Sequence, residues 1–201
     1  MSILTEKLPC SIEVGGKEIY IRTDYRVWLK FESIMFDASK VSIKKIADAV
    51  INCIDASKSK TLPENLQELI EALMLFHGCN EKPKTKKTNE SENRKAPVFD
   101  FEEDAAYVYA AFLAQYGIDL VEIPHLHWFK FNALFRSLDD TSKIMKIMSW
   151  RDMDLSKIKD SEQRKVYSKL KETFALPDKR SEEERSSDNN AALSEMFFKG
   201  F

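Results

Sequence analysis

From Cys10 to Arg22 polar and apolar residues alternate, as Ser-Ile-Glu-Val and Lys-Glu-Ile-Tyr-Ile-Arg on either side of Gly15-Gly16. A period of two belongs to a half-buried strand, and paired glycines supply the positive φ of a tight turn. The stretch therefore predicts a β-hairpin with Ile12, Val14, Ile19 and Ile21 on its apolar face. Behind Thr23 or Asp24 as a cap the period lengthens, and Tyr25, Trp28, Leu29 and Phe36 predict a first helix to about Asp37. Ile43, Ile46, Ala47, Val50, Ile51 and Ile54 recur at three- and four-residue steps, which predicts a second helix with all six on one stripe. Thr61, Pro63 and Glu64 read as the start of a third, striped by Leu66, Leu69, Ile70, Leu73 and Met74 and ended by His77-Gly78.

The pattern lapses between Asn80 and Pro97, where Lys, Thr, Asn, Glu and Ser dominate. Too little apolar surface is available there to offset ordering entropy, so residues 80–98 read as a charged flexible linker between two halves, 1–79 and 99–178. Such a tether would let the hairpin-bearing half swing.

Periodicity resumes at Asp100-Phe-Glu-Glu103, which has capping-box spacing, and a fourth helix is expected from there to Tyr116, stopped by Gly117. Phe101, Ala105, Val108, Phe112 and Tyr116 stripe it, flanked by Tyr109 and Leu113. Pro124 suits the start of a fifth helix bearing Leu126, Phe129, Leu134, Phe135 and Leu138, with Trp128 and Phe131 on neighbouring faces. Asp139-Asp140-Thr141 marks a turn and cap before Ile144, Ile147, Met148 and Trp150. Asp160-Ser-Glu-Gln163 opens a last helix through Tyr167, Leu170 and Phe174 that Pro177 stops. Residues 179–201 read as a disordered tail, yet Leu193, Met196, Phe197, Phe198 and Phe201 give it an apolar tip. The fold expected is mainly α: an N-terminal hairpin followed by a helical bundle in two halves.

Composition agrees, since 32% charged residues and only 5 glycines among 201 favour helices over turn-rich β architectures. A net charge of −2 offers no global positive field for a phosphate backbone. Lys82, Lys84, Lys86, Lys87, Arg94 and Lys95 are interrupted by acids and lack interleaved aromatics, so they read as a solvated tether and not as a nucleic-acid site. Cys10, Cys53 and Cys79 are odd in number and form no CxxC pair, which suits free thiols in a reducing compartment. No apolar run reaches the roughly 18 residues of a membrane span, and no signal sequence is visible at Met1.

Candidate chemistry is sparse. His125-x-His127 would separate two imidazoles on a helix, and His77-Gly-Cys79 lacks a third group to orient a nucleophile. Glu102, Glu103 and Asp104 point in different directions on a helix and suit its positive N-terminus. No phosphate loop, nucleophile elbow or zinc motif is present, so neither an enzyme, nor a cofactor or metal, nor a small-molecule substrate is expected. A binding role is expected instead.

The blocks Asp100-Phe-Glu-Glu-Asp-Ala-Ala-Tyr-Val-Tyr-Ala-Ala-Phe, Gln115-Tyr-Gly-Ile-Asp-Leu, Leu126-His-Trp-Phe-Lys-Phe, Ala133-Leu-Phe, Lys146 to Asp160, Glu162 to Tyr167 and Ala175-Leu-Pro-Asp are ordered along most of the second half. Together they resemble the bacteriophage "gp fifteen" family of phages and prophages of Gram-positive hosts. The first half is similar to the family's beginning through its β start and Tyr25-Arg-Val-Trp. The resemblance implies a tail-assembly chaperone of long-tailed phages, acting in the host cytoplasm and absent from the mature virion. Its implied partners are the tape-measure protein and the major tail protein, with self-association also open and no membrane. A structural tail or connector component, or a DNA-packaging or regulatory protein, is the alternative.

Partner helices would lie in aromatic-lined grooves, for which Tyr107, Tyr109, Tyr116, Trp128, Phe131 and Trp150 are the candidates, although each ring also suits a core. Phe197, Phe198 and Phe201 are candidates for a tethered docking peptide.

Overall fold

The computed structural model describes residues 4–35, 42–59, 63, 65–80 and 97–177. Strands β1 (Ser11–Val14) and β2 (Lys17–Tyr20) form the antiparallel hairpin, in the register Ile12 opposite Ile19 and Val14 opposite Lys17. Gly15 and Gly16 turn it with φ of 56° and 71°, a conformation that costs glycine little. The expected face is inside: Val14, Ile19 and Ile21 are buried and Ile12 is half-buried.

Seven α-helices follow among the described residues. They are α1 (Tyr25–Met35), α2 (Ile43–Cys53), α3 (Leu66–His77), α4 (Ala105–Tyr116), α5 (Trp128–Arg136), α6 (Lys143–Asp152) and α7 (Ser161–Thr173). The expected mainly helical fold with an N-terminal hairpin is thus the observed one.

Several boundaries differ, each for a local reason. Phe36 and Asp37, expected in α1, lie outside the described residues. Helix α3 is capped by Asn65, whose side chain accepts from the Glu68 amide, while Thr61 and Glu64, expected at its start, lie outside the described residues. Asp100 does bind the amides of Glu102 and Glu103, but that closes a separate turn; α4 proper begins five residues on, at Ala105 behind Asp104. Pro124 does not open α5, because His127, held in an isolated β-bridge to Asp24, is the cap. Ser142 caps α6, while Asp139 binds the Thr141 amide one turn earlier. Asp160 caps α7 as expected.

One stripe is rotated and one is widened. On α2 the buried side is Ala49, Val50 and Cys53, leaving Ile43 and Ile51 exposed. At α5 the expected Leu126, Phe129, Phe135 and Leu138 are buried and Leu134 is half-buried, and Trp128 and Phe131 on the neighbouring faces are buried as well.

Residues from both sides of the stretch 81–96 enter one apolar core. Tyr25 of α1 stacks on Phe131 of α5 with ring centroids 4.7 Å apart, and Trp28 lies 6.5 Å from Trp128. Fully buried rings of this size each contribute roughly 1.5–3 kcal/mol. Polar contacts reinforce the seam. The backbone of Thr23–Tyr25 bridges that of Leu126–Trp128, with Tyr25 N donating to Leu126 O at 2.9 Å and Trp128 N to Thr23 O at 2.7 Å. Arg26 reaches across to the carbonyls of Leu120 and Ile123, each at 2.8 Å, and Trp128 Nε1 donates to His77 O at 2.8 Å. A rigid swing of the hairpin side would break all of these contacts, so the expected swing does not fit this packing.

Candidate functional site

Helix α4, Ala-Ala-Tyr-Val-Tyr-Ala-Ala-Phe-Leu-Ala-Gln-Tyr, carries no charged residue. A helix apolar all round is normally buried all round. This one is not. Val108, Ala111 and Phe112 face the core, whereas Ala106, Ala110, Leu113 and Ala114 are exposed, Leu113 by 43%. Helical spacing places these four on a single outward row.

Half-buried tyrosines border the row, Tyr109 and Tyr116 along one edge and Tyr107 along the other. Tyr109 donates its hydroxyl to Asp119 Oδ2 at 3.1 Å, which fixes that edge and pushes the phenol pKa up, chiefly through this hydrogen bond. Tyr116 donates to Leu134 O at 2.9 Å, fixing the edge to α5. Beyond Tyr109 the loop 118–123, held by Arg26, carries Val121 with 71% of its surface exposed. The result is an open apolar face, termed the trough for its row of small side chains between borders of oriented aromatic rings.

A buried ion pair anchors the start of α4. Asp104 and Arg151 have side chains 2% and 9% exposed and meet in a two-point pair, Nη1 to Oδ2 at 2.6 Å and Nη2 to Oδ1 at 2.9 Å. Asp104 Oδ2 also accepts from the Asp100 amide, while Arg151 donates through Nε to Phe174 O at 2.6 Å and through Nη1 to Val98 O. One guanidinium thereby ties together the segment entering α4, α6 and the end of α7. The planar fork suits arginine and not lysine.

The histidines and thiols are embedded in structure. His127 Nδ1 accepts from the Phe129 amide at 3.1 Å and Nε2 donates to Pro9 O at 3.0 Å, which requires the neutral ring. Burial pushes its pKa down. His125 meets the Thr23 hydroxyl and His77 meets Glu32, so the three imidazoles have separate partners. Cys53 is fully buried, and desolvation pushes its thiol up to about 12.

The residues nominated from sequence separate into four groups. Tyr107, Tyr109 and Tyr116 are brought together along the trough. Trp128 and Phe131 are sealed in the core at 1% and 0% exposure. Trp150 lies apart on α6, half-buried against Phe174 with Lys143 Nζ 4.9 Å from its ring centre. Phe197, Phe198 and Phe201 lie outside the described residues. The alanines and Leu113 of the trough were missed, though the absence of charge over twelve successive residues of α4 was a readable signal.

The helical frame and its partly open, uncharged helix have a family context: residues 4–176 match the family model described as "Bacteriophage Gp15 protein". The chain belongs to this bacteriophage family, and the match takes in the hairpin side and residues 81–96 as well as the second half. No curated protein and no solved structure matches it. Among the described residues no helix is long and apolar enough to cross a membrane.

Proposed function

We propose that the protein is a non-catalytic tail-assembly chaperone that receives amphipathic helices of a tape-measure protein in the trough of α4. The observation that carries this reading is the outward row Ala106, Ala110, Leu113 and Ala114 on a helix without charge. A tape measure is a long helical chain that must stay soluble until tube subunits surround it. Small floor residues let a second helix approach closely, and bordering tyrosines supply contact area with little rotamer entropy to lose. The family match supports the phage context.

On this reading the major tail protein is a second partner, the protein works in the host cytoplasm, and it leaves before the virion is complete. Co-expression with the phage's tape-measure protein tests it: soluble tape measure is expected with the chaperone and aggregated tape measure without it. Equal solubility in both cases overturns the chaperone role. Mass spectrometry of purified particles checks the departure, and stoichiometric presence there would make the protein a structural tail component.

A further inference from the structure

Helix α4 leaves an apolar face open, and the sequence of the same chain carries an apolar cluster at residues 193–201. We propose that residues 193–201 cover the α4 trough in cis, as a placeholder that an incoming client helix displaces. The placeholder role rests on the chaperone reading; the covering contact does not.

Three observations carry the contact. Met196 and Phe197 follow Leu193 by three and four residues, the spacing of anchors that a helical segment lays into a groove. Their bulk complements the small, exposed side chains of Ala106, Ala110 and Ala114, on a helix with no charge to desolvate.

Position is the second observation. The described chain leaves at Pro177, three residues after Phe174, whose carbonyl accepts from Arg151. Arg151 in turn holds Asp104 at the entrance of α4, so the exit lies beside the helix that is to be covered.

Length is the third. Residues 178–192 separate that exit from Leu193. Extended, such a stretch spans about 50 Å, whereas twelve helical residues measure about 18 Å, so reach is no obstacle. A tether of this order sets an effective concentration of about 1 mM, and a contact with a dissociation constant of roughly 0.1 mM is then about nine-tenths formed. A client helix competing with it loses about tenfold in apparent affinity.

Amide NMR spectra of the full chain and of a chain ending at Asn190 test the contact without any client. The expected result is that truncation shifts the amides of Ala106, Ala110, Leu113 and Ala114, and that a synthetic peptide of residues 191–201 shifts them back at sub-millimolar concentration. Leu113→Glu in the full chain should reproduce the effect of truncation while the core resonances stay in place. Unchanged α4 amides overturn the proposal. So do shifts confined to another face, such as that of Ile43 and Ile51, or shifts that vanish on dilution, which would mean contact between copies. Soluble tape measure combined with unchanged α4 amides would leave the chaperone and remove the placeholder.

Discussion

At the scale of single residues, the most consequential feature is one that local pattern does not disclose. Asp104 stands in a run of three acids that suits a helix start, and Arg151 reads as an ordinary charge near the end of an amphipathic stretch. Their pairing across 47 residues depends on how α4 and α6 pack. Removing one partner strands the other charge in a dry site, so Asp104→Asn should lower unfolding stability by roughly 3–5 kcal/mol in urea titrations. A loss under about 1 kcal/mol would show the pair to be solvated and its role overstated. His127 gives a pH effect of defined sign. Its folded pKa lies below the ordinary 6.5, so the unfolded chain takes the proton first. Its stabilisation is therefore present above pH 6.5 and declines as pH falls through and below that value. His127→Asn, which keeps a capping acceptor, should flatten this part of the stability curve between pH 7 and 5, which spans about the titration range of histidine. A wild-type curve with no slope there would contradict the neutral-ring geometry.

At the scale of elements, periodicity located the hairpin and the helices, because a period of two and one near 3.6 need no knowledge of partners. It did not fix which side of α2 faces inward, nor how far round α5 the buried surface extends. Ile43 and Ile51 look as apolar as Val50, yet only packing against α1 and the hairpin side selects Ala49, Val50 and Cys53. Likewise the aromatic identity of Trp128 and Phe131 suits an interface and a core alike; the stacking of Phe131 on Phe112 at 5.1 Å decides for the core. The tyrosines of α4 were readable as candidates, whereas the alanine floor was not, since alanine is common on any helix. The two sides of α4 now predict opposite mutational outcomes. Phe112→Ala should cost roughly 3–5 kcal/mol by opening a cavity. Its neighbour Leu113→Glu should cost no more than about 1.4 kcal/mol, the linkage expected for a cis contact about nine-tenths formed. Thermal melts of the two variants check this, and equal losses would mean that Leu113 belongs to the core.

At the scale of the whole molecule, the polar stretch 81–96 gave the impression of two independent halves, but contact across it involves the largest buried rings. Trp28, Phe76 and Trp128 belong to one cluster, and Trp28 lies 4.6 Å from Phe76 between ring centres. Composition cannot reveal this, because a tether's polarity says nothing about the surfaces at its ends. A protease site engineered into residues 81–96 should therefore give two fragments that co-elute after cleavage in native size-exclusion chromatography. Separation of the fragments would show that the shared core is too weak to hold the sides together. That same core gives α4 a fixed platform, with its inner face packed on α5 and α6 and its outer face directed away from them. The most direct test of this division is calorimetric titration of a soluble tape-measure fragment into the wild-type protein and into Leu113→Glu. Binding weakened by at least about tenfold in the variant, equivalent to about 1.4 kcal/mol, is the predicted result. Undiminished binding by a correctly folded Leu113→Glu protein would contradict it.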